Sequence, residues 1–306
     1  MLSDVDASRL RAVKQAPAVD LPRRRLLTAL ALSPLFSAFP LLAAPPARII
    51  ALEWLPLEML FTLGVTPLAA ADTVDYRSWV GEPVLPDSVL DVGRRAEPNL
   101  EYIAELNPDL LLYSEGYGPR AAQLNALAPS MAFSFTGERG PLHTVSDGLI
   151  RLAGRLEKTE VARTHLTRVD QRFAAARARL SGFRRQPLLV FTLVDDRHAV
   201  ILGTNSLFGN VMDQLGIENA WREGDNDWGT ATVGIERLAT LPPLRAVCLD
   251  HGDAAIRNRV ASTALWRAIP FVSQNQLRVV PTVWIFGATL AALRFCRTLE
   301  ELEEQW

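Results

Sequence analysis

Residues 99–110 (NLEYIAELNPDL) and residues 234–244 (GIERLATLPPL) carry nearly the same pattern in two distant parts of the chain. In each segment a Glu opens a short helical run, a Leu and a nearby Pro end it, and an apolar strand follows. The two glutamates, Glu101 and Glu236, occupy matching positions. A supersecondary unit repeated at this distance predicts two similar lobes in one chain, with a cleft between them as the natural binding place.

A second pair of segments supports the repeat. Leu63-Gly64-Val65 and Leu215-Gly216-Ile217 each end an apolar stretch of helical character, and Gly just past the last apolar residue is a common left-handed helix terminator. The order of helix, Leu-Gly, loop, Glu-led helix and strand is the same in both halves. Chance recurrence in an α/β protein is the alternative, but the agreement in order, element type and Glu position favours two related lobes.

The segment between the repeats reads as one long amphipathic helix over residues 157–182. Apolar residues fall at steps of four and three, on one helical face, and the opposite face is rich in Arg, Thr and Gln. Such a helix is roughly 37 Å long, so it predicts a rigid connector rather than a surface helix of one lobe. The apolar positions are Ala162, Leu166, Val169, Phe173, Ala176 and Leu180.

These patterns predict an α/β fold of two similar lobes joined by one long rigid helix, with a ligand cleft between the lobes. Alternating strands and helices indicate parallel sheets. We read residues 72–95 as a loop and residues 262–268 as a helix. The predicted domains are an N-terminal extension and leader (1–47), an N-terminal lobe (48–141), a helical connector (142–186) and a C-terminal lobe (187–306).

Composition limits the function classes. The 306 residues are 49% hydrophobic and 22% charged, with a net charge of −2, which is a globular balance that does not suggest a nucleic-acid partner. The two cysteines, Cys248 and Cys296, lie in apolar segments and form no C-x-x-C motif, so we expect buried free thiols.

The N-terminus reads as an export signal. Residues 23–27 (RRRLL) precede an apolar run that Pro34 and Pro40 interrupt, so the run falls short of the about 20 unbroken residues that span a bilayer. The Arg-Arg-x-Leu-Leu pattern fits a twin-arginine leader, and a retained membrane anchor is the alternative. We expect a soluble mature protein outside the cytoplasm.

Several further motifs resemble one known family in a preserved order, from about residue 23 to about residue 299. With them the chain resembles the periplasmic ferric-hydroxamate (ferrichrome-type) siderophore-binding proteins of iron-uptake ABC importers. The motifs are residues 51–56 (ALEWLP), 91–93 (DVG), 97–101 (EPNLE), 116–119 (GYGP), 205–208 (NSLF), 228–229 (WG) and 283–290 (VWIFGATL).

The resemblance implies a ligand and a set of residues that bind it. The ligand is Fe³⁺ already wrapped by three bidentate hydroxamates, so the protein supplies no metal ligand and holds no cofactor of its own. Arg95 and Tyr117 match the positions that donate to the hydroxamate oxygens, with Arg94 as a rival and Arg77 within possible reach. A guanidinium fork suits several partly negative oxygens at once, and flat aromatic walls suit the carbon-rich remainder.

The remaining implied ligand residues are aromatic or polar. Four tryptophans match wall positions, and two residues replace family aromatics: Tyr113 stands for a Trp, and Phe286 stands for a Tyr and lacks its hydroxyl. Trp221, Trp266 and Trp306 lack this context and are expected to be structural. The full set beside Arg95 and Tyr117 is Trp54, Trp79, Tyr113, Asn226, Trp228, Thr230, Trp284 and Phe286.

The resemblance also gives the repeated glutamates a role. In this importer class an acidic side chain on each lobe meets an Arg pocket on each permease subunit in the inner membrane, and Glu101 and Glu236 match those positions. The alternative is that each carboxylate only favours its own helix start. The partners implied are therefore a ferric hydroxamate and an ABC permease, and we expect a monomer.

Two other functions stay open at this point. The same fold binding cobalamin or haem is one. An exported cofactor-containing enzyme is the other, although the chain has no H-E-x-x-H, G-x-S-x-G or phosphate-loop motif. A Zn²⁺ site needs His and carboxylates that converge, and only His198 lies near Asp195 and Asp196, in what reads as a surface turn.

Overall fold

The structure is a computed structural model that describes residues 45–306. Its first half contains a five-stranded parallel sheet with strand order β3-β2-β1-β4-β5. Strands β1 and β4 are short apolar runs that are buried, as a parallel sheet covered on both faces requires. The strands are β1 (Ile49–Ala51), β2 (Ala69–Ala70), β3 (Leu90–Asp91), β4 (Leu110–Ser114) and β5 (Ser130–Phe133). The helices between them are α1 (Trp54–Thr62), α2 (Thr73–Trp79), α3 (Leu100–Glu105) and α4 (Ala121–Asn125).

The interpretation of residues 72–95 as a loop was wrong, because α2 and β3 lie within this segment. Asp72 adopts a left-handed conformation with φ of 51° and turns the chain into α2. The N–H of Thr73 donates to Asp91 Oδ2 at 2.9 Å, which ties the start of α2 to β3. This helix rests on a contact between residues far apart in the segment, so local periodicity does not reveal it.

Two helices connect the halves: α5 (Pro141–Arg155) and α6 (Thr159–Arg179). The long helix α6 has 21 residues and is about 32 Å long. It begins later than predicted because Glu157 has φ of 56°, which a continuous right-handed helix does not allow, and it ends earlier, at Arg179. A 3₁₀ turn, Gly182–Arg185, follows it. The predicted apolar face of α6 is buried at Ala162, Val169, Phe173 and Ala176, and Leu166 is partly buried.

The second half is a five-stranded sheet with order β10-β9-β6-β7-β8. It comprises β6 (Leu188–Leu193), β7 (His198–Leu202), β8 (Thr230–Gly234), β9 (Arg245–Asp250) and β10 (Leu277–Pro281). The helices are α7 (Leu207–Leu215), α8 (Ile235–Leu238), α9 (Ala254–Ser262), α10 (Ala264–Ala268), α11 (Pro270–Ser273) and α12 (Thr289–Glu303).

The second sheet is mixed, so the prediction of two parallel sheets was wrong for this half. Strands β6, β7 and β8 pair antiparallel, whereas β6, β9 and β10 pair parallel. The turn between β6 and β7 is too short for a crossover, and a short connection forces antiparallel pairing. Asp195 closes this turn, as its Oδ1 accepts from the N–H groups of Arg197 and His198 at 2.7 Å.

The helix predicted at residues 262–268 is present as α10 (Ala264–Ala268), which begins two residues later than predicted. Helix α9 ends at Ser262, and Thr263 caps α10 by accepting the N–H of Trp266 at 3.1 Å. Helix α9 itself was not predicted, and Asp253 caps it through the N–H groups of Ala255 and Ile256. The two successive caps divide residues 254–268 into two helices.

The repeat and the two-lobe arrangement are confirmed. Helix α3 leads into β4 and α8 into β9, and Gly64 and Gly216 have left-handed φ angles of 66° and 71° at the predicted helix ends. Helix α6 packs against α5, α7 and α12. One apolar core contains residues of both sheets, for example Leu112 and Val190, so the lobes share their interior. The boundaries proposed for the four domains remain predictions.

Cys248 and Cys296 are buried free thiols, as expected. No helix within residues 45–306 has the length and apolar character needed to cross a membrane. The leader and its twin-arginine pattern lie outside the described residues.

Candidate functional site

A cleft of about 490 Å³ opens between the two lobes, and both contribute to its lining. Seven of the ten residues predicted to bind ligand line it: Arg95, Tyr117, Asn226, Trp228, Thr230, Trp284 and Phe286. The polar residues of the first lobe follow its parallel strands, whose carboxyl ends meet at one edge of the sheet. Glu53 follows β1, Asp72 follows β2 and Ser114 ends β4.

Arg95 is fixed on several sides. Its Nη1 donates to Glu53 Oε1 at 2.6 Å and its Nε donates to Asp72 Oδ2 at 3.2 Å. The guanidinium carbon lies 3.5 Å from the centre of the Trp54 ring, which is a cation–π contact. The side chain is 15% exposed. Within residues 45–306, Nη2 has no hydrogen-bond partner.

The geometry distinguishes Arg95 from its rivals. Arg94 is exposed and is not part of the cleft lining. Arg77 donates to the Thr73 carbonyl at 3.2 Å and lies 3.5 Å from Asp87, also outside the lining. Among these three arginines, only Arg95 presents donors to the cleft.

Glu53 links Arg95 to the fold. Its Oε2 accepts the N–H of Leu55 at 2.7 Å and so caps α1, and the Ser114 hydroxyl donates to the same oxygen at 3.3 Å. Its other oxygen accepts from Arg95. The Glu53 side chain is only 9% exposed, so this ion pair is held by the helix start rather than by the surface.

Tyr117 stands on a tight turn at the mouth of the cleft. Gly116 and Gly118 have φ of 78° and 75°, a conformation that side-chain-bearing residues rarely adopt. A Cβ on Gly118 would lie 2.8 Å from the Arg95 carbonyl oxygen, so the turn packs directly on the Arg95 backbone. The Tyr117 ring lies 5.7 Å from the Arg95 guanidinium carbon and is 42% exposed.

On the second lobe, Asn226 builds the loop that presents Trp228. Its Oδ1 accepts the N–H groups of Trp228 and Thr230 at 2.9 and 3.0 Å and lies 3.1 Å from the Thr230 hydroxyl. Because that oxygen is fully used, only the amide nitrogen of Asn226 remains for a ligand. Gly229, with φ of 72°, lies so close to the Ser206 backbone that a side chain would not fit.

The apolar wall consists of aromatic rings in mutual contact. Phe286 lies 5.5 Å from Trp228 and 5.6 Å from Trp284, both edge to face, and Phe135 stacks on Trp228 at 6.0 Å. Edge-to-face packing fixes each ring. Phe286 keeps the aromatic surface without a hydroxyl.

Three predicted residues do not line the cleft. Trp54 is 2% exposed and lies beneath Arg95, with its indole N–H donating to the Ala71 carbonyl at 3.2 Å. Tyr113 packs against the apolar cluster on the other side of the first sheet, because neighbouring strand residues point to opposite faces and Ser114 faces the cleft. Trp79 lines a separate cavity and lies 4.4 Å from the His251 ring.

The sequence interpretation missed four residues that build the site: Glu53, Asp72, Ser114 and Phe135. Three of them end an apolar strand of the first sheet or follow one within two residues. A polar residue at the carboxyl end of each parallel strand is a usable sequence signal for a site, and it points to these three. Phe135 follows β5 and has no such mark.

The matching glutamates lie where the repeat predicts them. Glu101 is in the first turn of α3 and Glu236 in the first turn of α8, and both are exposed. Neither lines the cleft. Within residues 45–306, no group of three or more His, Cys, Asp or Glu side chains is arranged to hold a metal ion.

The chain is similar to known periplasmic binding proteins. Residues 49–283 match the family model described as "Periplasmic binding protein". The chain is 43% identical over 281 residues to the iron(3+)-hydroxamate-binding protein FhuD of Escherichia coli K12, covering 91% of this chain and 95% of that protein. It is 26% identical to the probable siderophore-binding lipoprotein YfiY of Bacillus subtilis, covering 85% and 82%.

The structure is also similar to a crystal structure of FhuD from Vibrio cholerae with Fe³⁺-Desferal bound. The TM-score is 0.76 at 27% identity, and the match covers 83% of this chain and 97% of that one. The family model spans most of the chain, including both sheets and the connector. The chain therefore belongs to the periplasmic binding protein family.

Proposed function

We propose that this protein captures ferric hydroxamate siderophores in the periplasm and delivers them to the permease of an ABC importer. The observation that carries the proposal is the Arg95 guanidinium, held over Trp54 with donors left for the cleft, beside Tyr117 and a wall of aromatic rings. The E. coli relative is described as an iron(3+)-hydroxamate-binding protein. In this proposal Fe³⁺ is cargo and arrives with its coordination filled by the siderophore.

The charge of the cleft favours hydroxamates over catecholates. Three singly charged hydroxamates cancel the charge of Fe³⁺, whereas three doubly charged catecholates leave a strongly anionic complex. Arg95 is the only Lys or Arg lining the described cleft, and Glu53 and Asp72 pair with it. A site with one compensated cation suits a neutral chelate and repels a multiply charged anion.

The donors and the aromatic wall then have separate tasks. Arg95 and Tyr117 donate to the partly negative oxygens around the iron. Trp228, Trp284 and Phe286 contact the carbon-rich chains, whose length and branching vary among siderophores. The missing hydroxyl at Phe286 leaves the choice among hydroxamates to shape and apolar contact.

Delivery completes the proposed function. The exposed carboxylates of Glu101 and Glu236, one on each lobe, are the proposed contacts with the two permease subunits, and their spacing sets the docking register. The protein acts as an exported monomer without a cofactor of its own, and not as an enzyme.

Titration of the purified protein tests the proposal. Ferrichrome, a linear ferric hydroxamate, a ferric triscatecholate, cobalamin and haem are added in turn while tryptophan fluorescence is recorded, because two tryptophans line the cleft. We expect submicromolar binding of both hydroxamates and weak or no binding of the others. Tighter binding of the catecholate, cobalamin or haem would overturn the assignment.

A further inference from the structure

A second groove, of about 460 Å³, lies on the surface and shares no lining residue with the ligand cleft. Four arginines line it, two from the long helix α6 and two from the C-terminal helix α12. We call it the arginine groove. The four are Arg168, Arg172, Arg294 and Arg297.

The positive charge of the groove is only partly compensated. Arg172 pairs with Glu300, with Nη1 to Oε1 at 2.8 Å. Arg297 pairs at 2.9 Å with Glu82, a carboxylate that itself lines the groove. Within residues 45–306, Arg168 makes neither an ion pair nor a hydrogen bond. Four guanidinium groups thus face two carboxylates, in a chain whose net charge is −2.

Remaining hydrogen-bond donors accompany the uncompensated charge. The Arg294 side chain donates to the Val80 carbonyl, which is neutral, and lies 3.9 Å from the Glu82 carboxylate. Its charge is therefore only weakly compensated. Arg168 is exposed with its whole fork unpartnered, and Arg297 is exposed as well. The groove therefore offers forked N–H donors at its open side.

Like charges lie next to one another along both helices. Arg168 and Arg172 are four residues apart on one helix and Arg294 and Arg297 three apart on the other, and like charges at these spacings repel. A bound anion relieves the repulsion on both helices at once. Two N–H groups of one guanidinium can donate to two oxygens of a phosphate group. A chloride ion has no such pair of acceptor atoms.

The base of the groove is apolar. Leu290 and Leu293 line it from α12 and are only partly buried. An inorganic anion leaves this surface exposed to water, whereas a phosphate ester covers it with its carbon part. The combination of forked cations and an apolar base indicates an amphipathic anion.

We propose that the arginine groove binds an organic phosphate, with Arg168 and Arg297 holding the phosphate oxygens and Leu290 and Leu293 contacting its carbon chain. The phosphate belongs either to a soluble ester or to a phospholipid headgroup at a membrane surface. This site is separate from the siderophore cleft, so it stands or falls independently of the proposed function.

Binding measurements on the purified protein test the proposal. Calorimetric titration with n-butyl phosphate and with inorganic phosphate, and co-sedimentation with phosphatidylglycerol or phosphatidylcholine vesicles, separate the two sources. We expect saturable, salt-sensitive binding of n-butyl phosphate, tighter than inorganic phosphate, if the source is soluble. Binding to phosphatidylglycerol vesicles alone assigns the groove to a lipid headgroup.

Variants connect the binding to the groove. Arg168→Ala with Arg297→Ala, both exposed positions, should weaken it by about tenfold or more. Arg168→Lys keeps the charge without the fork and should restore binding only in part. Arg163→Ala, an exposed arginine of the same helix that pairs with Glu160 outside the groove, should leave it unchanged.

Three results would overturn the proposal. They are the absence of saturable binding of any probe, binding that the double variant leaves unchanged, and inorganic phosphate binding as tightly as the ester. Ferric hydroxamate affinity, measured on the same variants, should stay within about twofold because no groove residue lines the cleft.

Discussion

The guanidinium carbon of Arg95 lies 3.5 Å from the centre of the Trp54 ring, with the ring completely buried beneath it. Glu53 and Asp72 hold the same guanidinium from the side. The ring and the carboxylates fix the plane of the fork before any ligand arrives, so little side-chain entropy is lost on binding. Arg95 is thus a pre-organised donor rather than a mobile surface cation.

Replacing Arg95 should therefore reduce siderophore affinity strongly. Arg95→Ala removes charged hydrogen bonds that are each worth about 1.5–3 kcal/mol, and it leaves Glu53 and Asp72 uncompensated at the cleft. Because about 1.4 kcal/mol corresponds to a tenfold change in affinity, we expect the affinity for a ferric hydroxamate to fall tenfold or more. Fluorescence titration measures this loss. Arg95→Lys should not restore it, because an ammonium lacks the fork.

Arg94→Ala is the matched control for Arg95→Ala. It removes the same charge one residue away, from an exposed side chain outside the cleft lining. Its affinity should stay within about twofold of the unaltered protein. Equal losses in the two variants would mean that net charge, and not the Arg95 geometry, controls binding.

Much of the fold follows from the sequence because the decisive signals are local. Gly64 and Gly216 end their helices with left-handed φ angles, and the apolar face of α6 repeats at helical spacing. Each of these patterns is set by neighbours within a few residues. The antiparallel pairing of β7 depends on the capped turn at Asp195, a feature that composition does not mark.

The site was only partly predictable for a related reason. Arg95 and Tyr117 come from the resemblance, but the partners that orient Arg95 are distant in sequence, with Glu53 separated from it by 42 residues. Parallel strands bring such residues together at one edge of the sheet. Tyr113 does not line the cleft, because neighbouring residues of a strand point to opposite faces of the sheet.

Gly118→Ala should destabilise the turn that carries Tyr117. Its φ of 75° costs an alanine about 1–2 kcal/mol, and the new Cβ would lie 2.8 Å from the Arg95 carbonyl oxygen. We expect a lower free energy of unfolding in chemical denaturation, and weaker ligand binding, because Tyr117 and the Arg95 backbone must move apart.

Gly116→Ala separates the two causes. Gly116 has nearly the same φ, 78°, but within residues 45–306 its Cβ would meet no atom closer than 4 Å. It should show the backbone cost alone, so its loss of stability should be the smaller one. If Gly116→Ala destabilised the protein as much as Gly118→Ala, the contact with Arg95 would carry no energy.

Removing both matching glutamates should separate delivery from capture. Glu101→Ala with Glu236→Ala should abolish siderophore uptake in cells that depend on this protein, because both proposed docking charges are lost. Affinity of the purified variant for a ferric hydroxamate should be unchanged, since neither residue lines the cleft. Glu105→Ala, an exposed carboxylate at the end of α3, is the control and should support uptake. Loss of ligand binding in the double variant would contradict the separation of roles.

Glu58 connects the lobes at a second place. From α1 its Oε2 accepts the N–H of Ala288 at 2.9 Å, and its Oε1 accepts those of Leu290 and Ala291 at 2.7 and 3.1 Å. The first turn of α12 is therefore capped from the other lobe, since the alanine at its own N-cap offers no side-chain acceptor. A Cβ on Gly287 would lie 2.6 Å from the carboxylate, so the close approach requires glycine.

The pKa of Glu58 makes this cap dependent on pH. Burial raises the pKa from 4.5 to about 7, against the three backbone N–H groups, which lower it. A raised carboxyl pKa means that the folded state favours the protonated form of Glu58. The contribution of Glu58 protonation to the stability of the folded state is therefore complete below about pH 4.5 and is lost as the pH rises to about 7. The free energy of unfolding, measured against that of Glu58→Gln, should fall over this interval by on the order of 3 kcal/mol. A difference that rose with pH would mean that the backbone donors outweigh burial and keep Glu58 ionised.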